Sequence, residues 1–204
     1  MKDKISTVIT LNWKLFLFFL VITNAQSQCY LDAKSIITET RLAYNQPSEY
    51  FCVNPLDSYF SIHPDYDLGA SLIGLINKEN GIMISIFAMP YPKPEGKINK
   101  YLIANVDMNR ISKKALAQEM DIRVSKMNLV GSSYLKTINA DRGYIYNLKV
   151  RKGGYLGIYP RCKKVQVYKD NVGRAEILFF YKYGQDALVK QEIEKTWGML
   201  KFNP

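Results

Sequence analysis

The stretch that decides the fold is Leu68–Met89, which reads LGASLIGLIN, then KEN, then GIMISIFAM. Two apolar runs, Leu68–Asn77 and Gly81–Met89, flank Lys78-Glu79-Asn80, and Gly81 follows the turn. That pattern predicts a β-hairpin. Both sides of its second run are apolar: Ile82, Ile84 and Ile86 on one, Met83, Phe87 and Met89 on the other. A strand with two apolar sides has to be covered twice, so its sheet is expected to carry helices on both faces.

Toward the C-terminus, Pro90-Tyr91-Pro92-Lys93-Pro94 reads as a stiff extended connector. Ser112–Met127 follows as a helix, with Ser112 as N-cap, Ile111 stapled onto Leu116, and Leu116, Met120, Val124 and Met127 on one stripe. After Gly131 the period changes to two. Ser132–Ile138 and Tyr144–Val150 flank Asp141-Arg142-Gly143, and Tyr155–Tyr168 and Arg174–Tyr183 flank Asp170-Asn171-Val172-Gly173, which predicts two more hairpins. Asp186–Lys201 closes the chain as a helix, capped by Asp186, with Val189, Ile193, Trp197 and Leu200 as its apolar stripe. On the N-terminal side, Ser48–Asp67 contains Pro55 and Pro64 and reads as irregular or short-strand chain. Leu31–Tyr44 reads as an extra helix stopped by Asn45-Gln46-Pro47.

This order of elements resembles the PsbP-like and DcrB-like proteins over roughly Tyr59 to Phe202. The resemblance implies an α+β fold: a single three-layer α/β/α-type sandwich, mainly antiparallel sheet with helices on both faces. It also implies an exported accessory or binding protein rather than an enzyme. The N-terminal helix and the Tyr-rich stretch before the first hairpin depart from that group.

The chain has 204 residues, 48% of them apolar and 23% charged, which suits one globular domain and excludes a disordered one. Residues 1–27 read as a signal peptide. Lys2, Lys4 and Lys14 are basic, Leu15–Ile22 is an unbroken apolar run, and Ala25-Gln26-Ser27 is a small-x-small cleavage site. Lys14 and Asn12 cut the apolar run too short to span a bilayer, so no transmembrane segment is expected after cleavage. Residues 28–204 then form the single α+β domain of a secreted or periplasmic protein. Export makes a disulfide among Cys29, Cys52 and Cys162 expected, with three pairings open.

Chemistry is sparse. His63 is the only histidine, which leaves no His-rich metal site and no second candidate for a nucleophilic triad. His63-Pro64-Asp65-Tyr66-Asp67 reads as a turn with solvated acids. No Gly-rich phosphate loop is present, so no cofactor and no catalytic residues are expected. Carboxylates near the first hairpin (Glu49, Asp57, Asp65, Asp67 and Glu79) leave a small carboxylate-dependent hydrolase as the alternative. A structural or assembly component of the cell envelope is the third class.

Charge is the most informative feature. The formal net charge is +10. Between Ser132 and Lys169 stand nine cations (Lys136, Arg142, Lys149, Arg151, Lys152, Arg161, Lys163, Lys164 and Lys169) against one acid, Asp141. Tyr134, Tyr144, Tyr146, Tyr155, Tyr159 and Tyr168 are interleaved with them. Such a stretch suits an anionic envelope polysaccharide, a lipid headgroup or an acidic protein, with Lys149, Arg151, Lys152, Arg161, Lys163, Lys164, Tyr155 and Tyr159 as the candidate ligand residues. Export disfavours nucleic acid. The competing reading makes Tyr144, Tyr146, Leu148 and Val150 core, and Asn147, Lys149 and Arg151 a plain solvated face.

Overall fold

The computed structural model describes residues 34–35, 37–53, 73–90, 126–150 and 152–204, and the backbone of 59–63 and 66–70. Among these residues the chain is α+β and built mainly of antiparallel sheet. Its strands are β1 (Leu42–Tyr44), β2 (Tyr50–Val53), β3 (Tyr59–His63), β4 (Tyr66–Ala70), β5 (Ile73–Asn77), β6 (Met83–Pro90), β7 (Asn128–Leu129), β8 (Arg142–Leu148), β9 (Arg161–Lys169), β10 (Gly173–Tyr181) and β11 (Leu200–Phe202). Residues 34–35 and 37–39 are helical, and further helices are α1 (Ser132–Thr137) and α2 (Asp186–Lys195), followed by a 3-10 turn at Trp197–Met199. Seven strands form an open antiparallel sheet in the order β2-β5-β6-β10-β9-β8-β7. β1 pairs with β11, and β3 with β4, in separate two-stranded ribbons.

The β5–β6 hairpin forms where the turn residues require it. Asn77 Oδ1 accepts from the backbone N–H groups of Glu79 (2.9 Å) and Asn80 (3.1 Å), and Asn80 Oδ1 from that of Ile82 (2.9 Å). Gly81 then takes φ 68°, a left-handed conformation that glycine adopts without strain. β9 and β10 are joined at Asp170-Asn171-Val172, as the turn residues indicate. Gly173 opens β10 so close to β6 that a Cβ there would lie 2.5 Å from the Met89 carbonyl oxygen and 3.1 Å from Pro90 Cα. Both are backbone atoms of the paired strand and cannot step aside. Gly173→Ala is therefore expected to cost about 1–3 kcal/mol, measured as a lowered urea midpoint with unchanged slope.

Alternation along β6 sorts its side chains onto two cores. Ile82, Ile84 and Ile86 join Ile73, Leu75, Val165, Val167, Ile177 and Phe179 on the first face, where Val189 and Ile193 of α2 cover them. Met83 and Phe87 join Tyr144, Tyr146, Leu148, Cys162, Tyr168, Leu178 and Phe180 on the second face. Met127, Tyr155 and Tyr159 pack into that second cluster. The two-sided burial read from the sequence is thus present in the sheet.

Five local expectations are corrected. The helix expected over Leu31–Tyr44 ends before Leu42, because Arg41 turns left-handed (φ 49°) and Leu42–Tyr44 pairs with Leu200–Phe202. Ser132–Ile138 is helix α1 rather than a strand. Thr137 Oγ1 closes back onto the Ser133 carbonyl (3.1 Å), and Asn139 (φ 52°) ends the helix and donates to the Phe202 carbonyl (3.1 Å). The segment before Arg161 is not strand but a small loop closed by a bridge between Tyr155 and Tyr159. The closing helix stops at Lys195, and Leu200–Phe202 becomes β11, with Leu200 and Phe202 inward and Lys201 outward. Asp186 does not cap α2; it engages Arg161 and Tyr181 instead. The expected helix over Ser112–Met127 lies outside the described residues, save Lys126 and Met127.

Candidate functional site

The basic segment 132–169 is the natural place to build a site, and cross-strand pairing decides which of its charges are available. Alternation puts Cys162, Lys164, Gln166 and Tyr168 of β9 on the second face, beside Glu176, Leu178 and Phe180 of β10. Lys164 is only 1% exposed and pairs with Glu176 at 2.6 Å. Arg174 reaches the same carboxylate at 3.2 Å. Gln166 Nε2 donates to Glu176 (3.0 Å), and the Tyr146 hydroxyl donates to Gln166 Oε1 (2.7 Å). Burial alone would raise the Glu176 carboxyl, but the Lys164 and Arg174 charges outweigh it and hold Glu176 below its ordinary range.

The other cations are distributed in the same way. Arg161 meets Asp186 at 2.6 Å and lies over the Tyr181 ring. Arg142 meets Asp170 at 3.1 Å and lies over the Tyr168 ring. Lys169 meets Asp141 at 3.0 Å. Burial works against the Asp141 charge, yet the Asp170 backbone N–H and the Lys169 ammonium keep that carboxyl below its usual value. Three of these acids, Asp170, Glu176 and Asp186, stand beyond Lys169 in the chain, which is why a count within the segment misses them. Arg142 and Lys169 also sit at the opposite end of the strands from Lys163, about 20 Å away at the rise of a strand.

Of the eight candidate ligand residues, the structure therefore keeps few together at a surface. Tyr155 and Tyr159 are buried in the second core: the Tyr155 ring stacks on Phe180 at 4.3 Å, and the Tyr159 hydroxyl donates to the Gly81 carbonyl at 3.0 Å. Lys164 is internal, Arg161 is ion-paired, and Arg151 lies outside the described residues. Lys149 and Lys152 are exposed and Lys163 is half-buried. None of these three has an ion-pair partner among the described residues. Lys163 faces Asn147 across the β8–β9 pair, and Lys149 follows Asn147 by two residues, so both belong to one end of the sheet. Lys152 begins the loop at that same end. Tyr144, Tyr146 and Leu148 are core, as the competing reading had it.

Sequence reasoning missed two buried carboxylates, Glu176 and Glu192. Glu192 is 1% exposed and accepts from the Tyr50 hydroxyl, Asn77 Nδ2 (3.3 Å) and Asn80 Nδ2 (3.2 Å), which ties α2 to the β5–β6 turn. Burial first, and this carboxylate second, push the Tyr50 phenol far above its ordinary value. The available signal was position: Glu176 stands mid-strand in an apolar run, and Glu192 falls beside Val189 and Ile193 on the apolar stripe.

Cys52 is disulfide-bonded and Cys162 is a free thiol. The two pairings through Cys162 therefore fall away, and Cys29 lies outside the described residues. Burial pushes the Cys162 thiol well above its ordinary value, so it is a poor nucleophile. Asp57, Asp65 and the side chains of His63 and Asp67 lie outside the described residues, while Glu49 and Glu79 are exposed. Among the described residues no group of three or more His, Cys, Asp or Glu could hold a metal ion, and no helix is long and apolar enough to cross a membrane. No family model, curated protein or solved structure matches the chain.

Proposed function

We propose that the protein is an exported, non-catalytic binding or accessory protein that holds an anionic envelope partner at the Lys149–Lys163 end of its sheet. One observation carries this reading. Lys149, Lys152 and Lys163 have no acid beside them among the described residues, whereas Arg142, Arg161, Lys164 and Lys169 are each matched to a carboxylate at 3.1 Å or less. Export rests on the leader-like residues 1–27, and a disulfide at Cys52 suits an oxidising compartment. A complete three-layer sandwich belongs to the same reading: the apolar second face calls for a cover, and Met127, the last residue of the helix expected over Ser112–Met127, lies in its cluster. The resemblance of element order to PsbP-like and DcrB-like proteins points to the same accessory role.

The test is retention on dextran sulfate across a salt gradient. Exchanging Lys149, Lys152 and Lys163 together for Gln should weaken binding roughly three- to a hundredfold, at about 0.2–1 kcal/mol per exposed charge. Wild-type protein should elute at higher salt than the variant. Coincident elution of the two, or retention insensitive to salt, overturns the reading.

A further inference from the structure

The loop at that end of the sheet carries a feature the charges do not explain. Residues 152–159 read Lys-Gly-Gly-Tyr-Leu-Gly-Ile-Tyr. The Tyr155 N–H donates to the Tyr159 carbonyl at 2.8 Å, and the Tyr159 N–H returns to the Tyr155 carbonyl at 2.9 Å. Both tyrosines turn inward, one onto Phe180 and the other to the β5–β6 turn at Gly81. The tip is therefore held from below on two sides. Leu156 and Ile158, between and beside these anchors, stay outside at 52% and 53% exposure.

Leu156 also adopts φ 53°, the left-handed region where a leucine side chain is strained. Glycines occupy the neighbouring left-handed positions 153, 154 and 157, so the chain uses the unstrained residue around Leu156 and not at it. An exposed leucine at a position suited to glycine adds nothing to the fold. The exposed cations Lys149 and Lys152 precede it in the chain, where β8 leads into the loop. Two protruding aliphatic side chains with flanking lysines match the boundary of an anionic bilayer, where acyl chains meet charged headgroups.

We propose that the 152–159 loop is a membrane-surface anchor, in which Leu156 and Ile158 enter the headgroup–acyl boundary of an anionic bilayer while Lys149 and Lys152 rest on its headgroups. This inference rests on the anionic-partner reading above and names the partner as a lipid surface.

Co-sedimentation of the full chain with vesicles of equal parts phosphatidylcholine and phosphatidylglycerol tests it. Leu156→Gly and Ile158→Asn should each lower vesicle binding about tenfold or more. Leu156→Gly should at the same time melt at or above the wild-type temperature, which separates lost binding from lost folding. Lys149→Gln with Lys152→Gln should cost about fivefold per lysine, and wild-type binding should fall sharply on pure phosphatidylcholine. Should Leu156→Gly and Ile158→Asn bind like wild type while the lysine variants lose dextran sulfate, the loop inference fails and the anionic-partner reading stands. Should the lysine variants lose neither dextran sulfate nor vesicles, both fail.

Discussion

Replacing Lys164 by Met should destabilise the domain by about 3–5 kcal/mol, seen as a fall of roughly 10 °C in melting temperature. The reason is the group left behind. Glu176 is 5% exposed, and Lys164 meets it at 2.6 Å with only 1% exposure of its own. Removing the ammonium leaves a buried carboxylate with the Arg174 and Gln166 contacts alone, at 3.2 Å and 3.0 Å. Lys164→Met combined with Glu176→Gln should recover much of the loss, because the uncompensated charge is gone. A double variant no more stable than Lys164→Met would show that packing, not charge, sets the cost.

The same pair predicts a pH dependence with a definite sign. The folded Glu176 pKa is depressed, so its contribution is fully present above the ordinary value of 4.5 and is lost as pH falls toward the folded value. Asp141, also depressed, adds to the loss in that acid range. Without Lys164 the balance on Glu176 shifts toward burial, which raises a carboxyl. The stability gap between wild type and Lys164→Met should therefore narrow as pH is lowered to 4.5 and below. Urea melts across that range are the measurement, and a gap constant with pH would mean the Lys164–Glu176 charges do not set it.

Phe180→Ala should have a comparable cost, about 3–5 kcal/mol, since the ring is fully buried at the centre of the second cluster. It lies across from Cys162 on one side and Met83 on the other, with the Tyr155 ring stacked upon it. Loss of that ring removes one of the two anchors of the 152–159 loop. Phe179→Ala is the matched control, because Phe179 is equally internal but faces the first core. Both variants should lose global stability, while only Phe180→Ala should speed native-state hydrogen exchange at the loop amides. Equal exchange in the two would sink the idea that Phe180 holds the loop.

Much of the sheet was legible because its signals are local. Asn77, Asn80 and Gly81 encode the β5–β6 turn within five residues, and the alternation from Ile82 to Met89 announces two buried faces. Short segments were less legible. Leu42–Tyr44 and Leu200–Phe202 each continue an apolar helical pattern in the sequence, and each is a strand because the other is there to pair with it. Ser132–Ile138 is ambiguous in sequence for a related reason. Seven residues with Tyr134, Leu135 and Ile138 fit either period, and the backbone chose a helix closed by Asn139.

The candidate site was legible in composition and not in arrangement. By itself the sequence determined that the chain is basic, that most of its excess lies between Ser132 and Lys169, and that tyrosines accompany it. Tertiary structure alone decided which of those groups meet an acid, which are internal, and which reach a surface. A cation's free energy depends on the charges and water within a few ångströms, and in an antiparallel sheet those neighbours come from other strands. Glu176 of the neighbouring strand β10 pairs with Lys164, and Asp186 of α2 pairs with Arg161, while Lys149, Lys152 and Lys163 meet no acid among the described residues.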